Sequence, residues 1–136
     1  MLEWFMSYKK TKSNFESVQS AIKSPRQYFL INTLPLTEQE CLICGTLDAN
    51  LEEQTINDML YSIHTNDRKI IIYGKNSHDD TTITKYNQLR KLGLTDVSIY
   101  TGGMFEWLLL QDVYGDNEFP TTSRDLDILR YKSIDS

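Results

Sequence analysis

The sequence predicts an α/β domain with a central, mostly parallel sheet of about five strands flanked by helices. Two apolar runs carry that expectation, Tyr28-Phe29-Leu30-Ile31 and Ile70-Ile71-Ile72-Tyr73. Both are continuous rather than alternating, which is the pattern of strands covered on both faces of a parallel sheet. Segments of helical periodicity alternate with such runs, as βαβ units require. A length of 136 residues with 40% hydrophobic content allows one domain with a real core.

Taken in order, Ser13-Asn14-Phe15-Glu16 has the form of a capping box, with Ser13 as the N-cap. Phe15, Val18, Ala21 and Ile22 then share one helical face, and Pro25 ends the helix. The Tyr28 strand follows. Cys41-Leu42-Ile43-Cys44 reads as a second short strand segment, ending at Gly45. Leu51, Ile56, Met59, Leu60 and Ile63 recur at helical spacing, and Asp67-Arg68 turns the chain into the Ile70 strand. A polar loop, Gly74 to Asp80, leads to a helix carrying Ile83, Tyr86, Leu89 and Leu92, with Gly93 as its C-cap. Val97 to Tyr100 is a further strand, Gly102-Gly103 a turn, and Met104 to Leu110 a short apolar helix. After Gly115 the periodicity weakens, and Arg124 to Tyr131 is either one more helix or a docked arm. The expected division is an N-terminal extension over 1–12, the domain over 13–115 and a C-terminal tail over 116–136.

Composition excludes several functions. Fourteen Lys and Arg against nineteen Asp and Glu leave a net charge of −5, the wrong balance for a general nucleic-acid binder. No apolar run approaches the length of a membrane span, and the opening Met1 to Met6 is too short for a secretory signal and carries Glu3. Two cysteines cannot frame a disulfide-dependent fold of this size, so a reducing, cytoplasmic or otherwise intracellular setting is expected.

Four stretches in order resemble the rhodanese-like domains. Phe29-Leu30-Ile31-Asn32-Thr33 is similar to the family's Leu-Ile-Asp strand, with Asn32 in place of the acid. Ile43 and Gly45 match its His-Ile-Pro-Gly-Ala-Ile stretch, without the His and Pro. Ile70 to Tyr73 matches the strand before its active-site loop, and Gly102-Gly103-Met104-Phe105-Glu106-Trp107 its Gly-Gly-x-x-x-Trp motif. The resemblance spans roughly residues 13–110 and implies a three-layer sandwich. The stretches Glu106 to Gln111 and Phe119-Pro120-Thr121-Thr122 further resemble a divergent subgroup found in large DNA viruses, among other places, which would make a virion the natural assembly.

The family's sulfur transfer depends on a cysteine directly after the strand's Tyr, whose thiolate takes up sulfur as a persulfide. Here that residue is Gly74, which has no side chain and no nucleophile. The loop continues Lys75, Asn76, Ser77, His78, Asp79 and Asp80. Asp79 and Asp80 suit the start of a helix, and they put negative charge where thiosulfate or phosphate would sit. Lys75 and His78 partly offset it, leaving an anion-binding regulatory domain as a minor alternative. No catalytic residue, cofactor or metal is expected.

The remaining candidates each have a plain explanation. Cys41 and Cys44 carry a redox or zinc spacing, but lie on a strand segment rather than at a helix start, and His64 and His78 do not complete a zinc set. Packing as small apolar residues is the expectation for both. A sulfurtransferase or thiol oxidoreductase using Cys44 or Cys41 as a displaced nucleophile is the alternative function. His78 has no adjacent nucleophile, and His64 ends a helix. Trp4, Phe5 and Tyr8, with Phe119, Leu126, Leu129 and Tyr131 in the tail, are interface candidates that could equally fold back onto the domain. The expected function is a catalytically inactive module that binds a protein partner, self-assembles or forms part of a larger assembly. Nucleic acid, membrane and metal are not expected partners.

Overall fold

The computed structural model describes residues 12–61 and 68–134. Four strands, β1 (Lys12–Ser13), β2 (Tyr28–Asn32), β3 (Lys69–Tyr73) and β4 (Val97–Tyr100), form one sheet in the order β1-β4-β3-β2. Every pairing is parallel; Ile70 to Tyr73 stand opposite Phe29 to Asn32 on one side and Val97 to Tyr100 on the other. The helices are α1 (Phe15–Lys23), α2 (Ala49–Tyr61), α3 (Thr81–Lys91) and α4 (Gly103–Tyr114), with short 3-10 turns at Leu36–Glu38 and Ile128–Tyr131. No described helix is long and apolar enough to cross a membrane.

The layers follow from strand order. The steps β2 to β3 to β4 run one way along the sheet, so right-handed crossovers place α2 and α3 on one face. The step from β1 to β2 runs back across it, which places α1 on the other. The alternating side chains of β3 feed both layers. Ile70 and Ile72 pack with Ile56, Met59 and Leu89, whereas Ile71 and Tyr73 pack with Val18, Met104 and Trp107. Burial on both faces is why β3 is a continuous apolar run.

Two local expectations need correction. Among the described residues the sheet has four strands, and the Cys41–Cys44 segment is not one of them: Ile43 bridges Thr121 and Thr46 bridges Leu30, each as an isolated pair. The turn at Gly45, whose φ is 87°, ends that pairing after one residue. The N-cap of α1 is Asn14 rather than Ser13; its Oδ1 accepts from Ser17 N at 3.1 Å. Ser13 is unavailable for capping because it pairs with Tyr100 in the sheet and its hydroxyl meets that of Ser98. The tail also joins the core. Phe119 and Tyr131 are buried, and Phe119 packs edge-on to Trp107 with ring centroids 5.0 Å apart.

Candidate functional site

The candidate site lies beyond the carboxyl ends of the parallel strands, where open α/β sheets bind their ligands. Strand β3 ends at Tyr73, whose side chain is wholly buried; its hydroxyl contacts Thr46 Oγ1 at 2.6 Å and accepts from Ile43 N at 3.2 Å. These bonds hold the 41–46 segment against the base of the loop. Burial pushes the Tyr73 phenol well above its usual range, so it is a structural hydroxyl at any ordinary pH. Gly74 comes next and opens the loop to Asp80, ahead of α3.

The loop is seated on the Gly102-Gly103 turn. Met104 N donates to Gly74 O at 3.0 Å and Phe105 N to Lys75 O at 2.9 Å, so the first amides of α4 are used by the loop's own carbonyls. Gly103 has φ of 64°, and a Cβ there would lie 2.7 Å from Gly74 O and 2.9 Å from Asn76 N. Close backbone approach and left-handed backbone both demand glycine at this position.

Asp79 turns inward. Its Oδ2 accepts from Lys75 N at 2.9 Å, and its Oδ1 accepts from Thr81 N at 3.1 Å and from Thr81 Oγ1 at 2.6 Å. The carboxylate thereby caps α3 and ties its start to the loop's first amide. A Cβ built at position 74 would lie 2.5 Å from Asp79 Oδ2, 3.0 Å from its Cγ and 3.0 Å from Thr33 Oγ1. The φ of Gly74 is not in the left-handed region, so backbone conformation does not require glycine there. The space a Cβ would take is occupied by the tip of the Asp79 side chain, which would have to shift to admit one.

The other loop residues differ in how they are held. Lys75 Nζ pairs with Glu38 at 3.1 Å. Asn76 Oδ1 accepts from His78 N at 2.9 Å, and its Nδ2 donates to Tyr131 O at 2.8 Å, coupling loop to tail. His78 Nδ1 meets Ser77 Oγ at 3.3 Å in an exposed contact. Asp80 precedes α3 without capping it through its side chain. A cavity of about 110 Å³ lies beside the loop, lined by His78, Asp79, Ile83 and Tyr100 among others. The Tyr100 phenol is held above its usual range, first by burial and then by the Glu106 carboxylate.

Cys41 and Cys44 are free thiols on the 41–46 segment. Cys41 is buried, and its Sγ donates to Ser123 O at 3.3 Å under the tail. Cys44 is half-buried and borders a separate cavity lined by Ala21, Ile22, Tyr28 and Leu47. Burial pushes both thiols up, against thiolate formation. Among the described residues, no cluster of three or more His, Cys, Asp or Glu could hold a metal ion.

The interface candidates divide. Trp4, Phe5 and Tyr8 lie outside the described residues, as does His64. Leu126 and Leu129 are exposed, whereas Phe119 and Tyr131 cannot offer their side chains to a partner because both are core residues. The residues missed in the sequence are Thr33 and Glu38, which meet the loop region from distant segments and leave no local signature, and Thr81, whose hydroxyl joins Thr33 to the Asp79 carboxylate.

A family model described as Rhodanese-like domain matches residues 39–110, just over half of the chain. The chain belongs to the rhodanese-like domain family. Solved structures share its fold. A protein from Lactobacillus plantarum is 14% identical, with 81% of this chain and 91% of that one covered at a TM-score of 0.59. A protein from Bacillus halodurans is 17% identical, with 84% and 80% covered at 0.55. The rhodanese-like domain of an Anabaena protein is 20% identical, with 86% and 89% covered at 0.54. No curated protein matches the chain in sequence.

Proposed function

We infer that this rhodanese-like domain carries out no sulfur transfer and serves as a protein-binding or structural module in a larger assembly. The observation that carries the reading is the Asp79 carboxylate lying 2.5 Å from where a side chain at position 74 would begin. A loop that normally presents amides to a thiolate here presents its first amide to an internal carboxylate, and position 74 brings no nucleophile. Lys75, the basic residue best placed to attract an anionic sulfur donor, is paired with Glu38. The free thiols suit a reducing intracellular setting.

Sulfur transfer through Cys44 or Cys41 is the competing reading, and the burial that raises both thiols weighs against it. Thiosulfate-to-cyanide turnover separates the two. The wild-type chain is expected to show no turnover above a Cys41→Ser/Cys44→Ser double variant. Turnover that the double variant abolishes would overturn the reading and place the chemistry on the 41–44 segment.

A further inference from the structure

Helix α4 carries more apolar surface than the domain covers. Phe105, Leu109 and Val113 recur every four residues along one side of it, beside the buried stripe of Met104, Trp107 and Leu108. Leu109 is 43% exposed and Val113 72%. The tail places Leu126 beside the neighbouring row of the helix, at Leu108 and Asp112. Leu126 is 82% exposed and stands across a cavity of about 180 Å³ that it shares with Leu108, Asp112 and Ile128. Large aliphatic side chains grouped in this way on a domain surface mark a contact site.

The charges around the strip are mainly acidic, although Arg124 lines the cavity beside Leu126. Between Gly103 and Ser123 there is no Lys or Arg, against four acids, Glu106, Asp112, Asp116 and Glu118. The first cation beyond them, Arg124, faces Asp116 at 4.0 Å, and Arg130 pairs with Asp125 at 3.4 Å. Asp112, which lines the cavity with Leu108 and Leu126, and Asp127, next to Leu126 in the chain, are exposed and make no ion pair among the described residues. An apolar strip between unneutralised carboxylates complements a helix with leucine-like side chains on one face and Lys or Arg on its flanks.

We propose that the α4 face formed by Leu109, Val113 and Leu126 docks a basic amphipathic helical segment of a partner protein. This rests on the reading of the domain as a binding module and names the chemistry of its partner. The probe is a fluorescein-labelled synthetic peptide of Leu and Lys, its leucines spaced three and four apart. A second peptide of the same leucine pattern carries Glu in place of Lys. The full chain binds the Lys peptide and not the Glu peptide, and raising salt from about 50 to about 500 mM weakens binding, as screening requires. The variant Val113→Ser/Leu126→Ser, changed only at exposed positions, keeps the wild-type melting temperature and loses at least about tenfold in affinity. Asp112→Asn/Asp127→Asn weakens binding at low salt and has little effect at high salt. Unchanged affinity in the serine variant, or equal binding of the Glu peptide, would overturn the proposal. So would binding of the Lys peptide only to a chain lacking residues 1–11, which would make the chain's own N-terminal segment the occupant. Sulfur-transfer turnover with peptide binding intact would overturn the non-catalytic reading alone.

Discussion

Replacing Gly74 by alanine tests whether Asp79 and position 74 compete for one space. The added Cβ would stand 2.5 Å from Asp79 Oδ2, far inside contact distance, and no positive φ adds strain of its own. The carboxylate must therefore leave. It surrenders a charge-assisted bond from Lys75 N and the cap on Thr81 N, contacts that contribute about 1.5–3 and about 0.5–2 kcal/mol. Allowing for partial recovery through water, Gly74→Ala is expected to destabilise the domain by about 2–3 kcal/mol. Asp79→Ala loses the same bonds and has a similar cost. In the double variant those bonds are lost only once, so its destabilisation falls short of the sum by about 2 kcal/mol. Urea unfolding of the four proteins gives the cycle directly. Additivity within about 0.5 kcal/mol would refute the shared space, and with it the physical reason for glycine at position 74.

Other consequences are simpler to measure. Gly103→Ala forces a Cβ to 2.7 Å from Gly74 O in a left-handed backbone, so it should destabilise by more than the ~1 kcal/mol usual for a point change; a urea midpoint unchanged from wild type would contradict the packing described for the loop. Tyr73→Phe leaves Ile43 N buried without its acceptor, an expected loss of about 1–3 kcal/mol by the same assay. The pH dependence has a definite sign. Tyr73, Tyr131 and Cys41 all have folded pKa values raised by burial, so the folded chain holds protons that the unfolded chain releases above the ordinary values of 9.0 for the thiol and 10.0 for the phenols. Stability is full below about pH 9 and falls as pH rises beyond it; a urea midpoint that stays flat to pH 11 would contradict this. Under native conditions a thiol reagent should modify half-buried Cys44 well before Cys41, and equal rates would show that the tail does not cover Cys41.

Much of this architecture was legible from the residues alone, for identifiable reasons. β2 and β3 announce themselves because both faces are covered, and the Gly102-Gly103 turn because Gly103 must approach the loop backbone. β1 was not legible: two polar residues beside a strand of another segment carry no periodicity. Phe119 and Tyr131 were open to two readings because an irregular tail has no period by which to assign a buried face. Asp79 was recognised as a helix-start acid and as negative charge in the loop, but a side chain's direction is set by what faces it. Only with Gly74 and Thr33 brought beside it does its carboxylate become the occupant of the site. The Cys41–Cys44 run looked like a strand because its apolar residues are core residues, although the partners that bury them are a turn and the tail.

The central claim is that no thiol of this domain takes up sulfur. Intact-mass measurement of the native wild-type chain after incubation with thiosulfate tests it most directly. An unchanged mass is expected. A gain of one sulfur atom, removed by cyanide and mapped to Cys41 or Cys44, would contradict it.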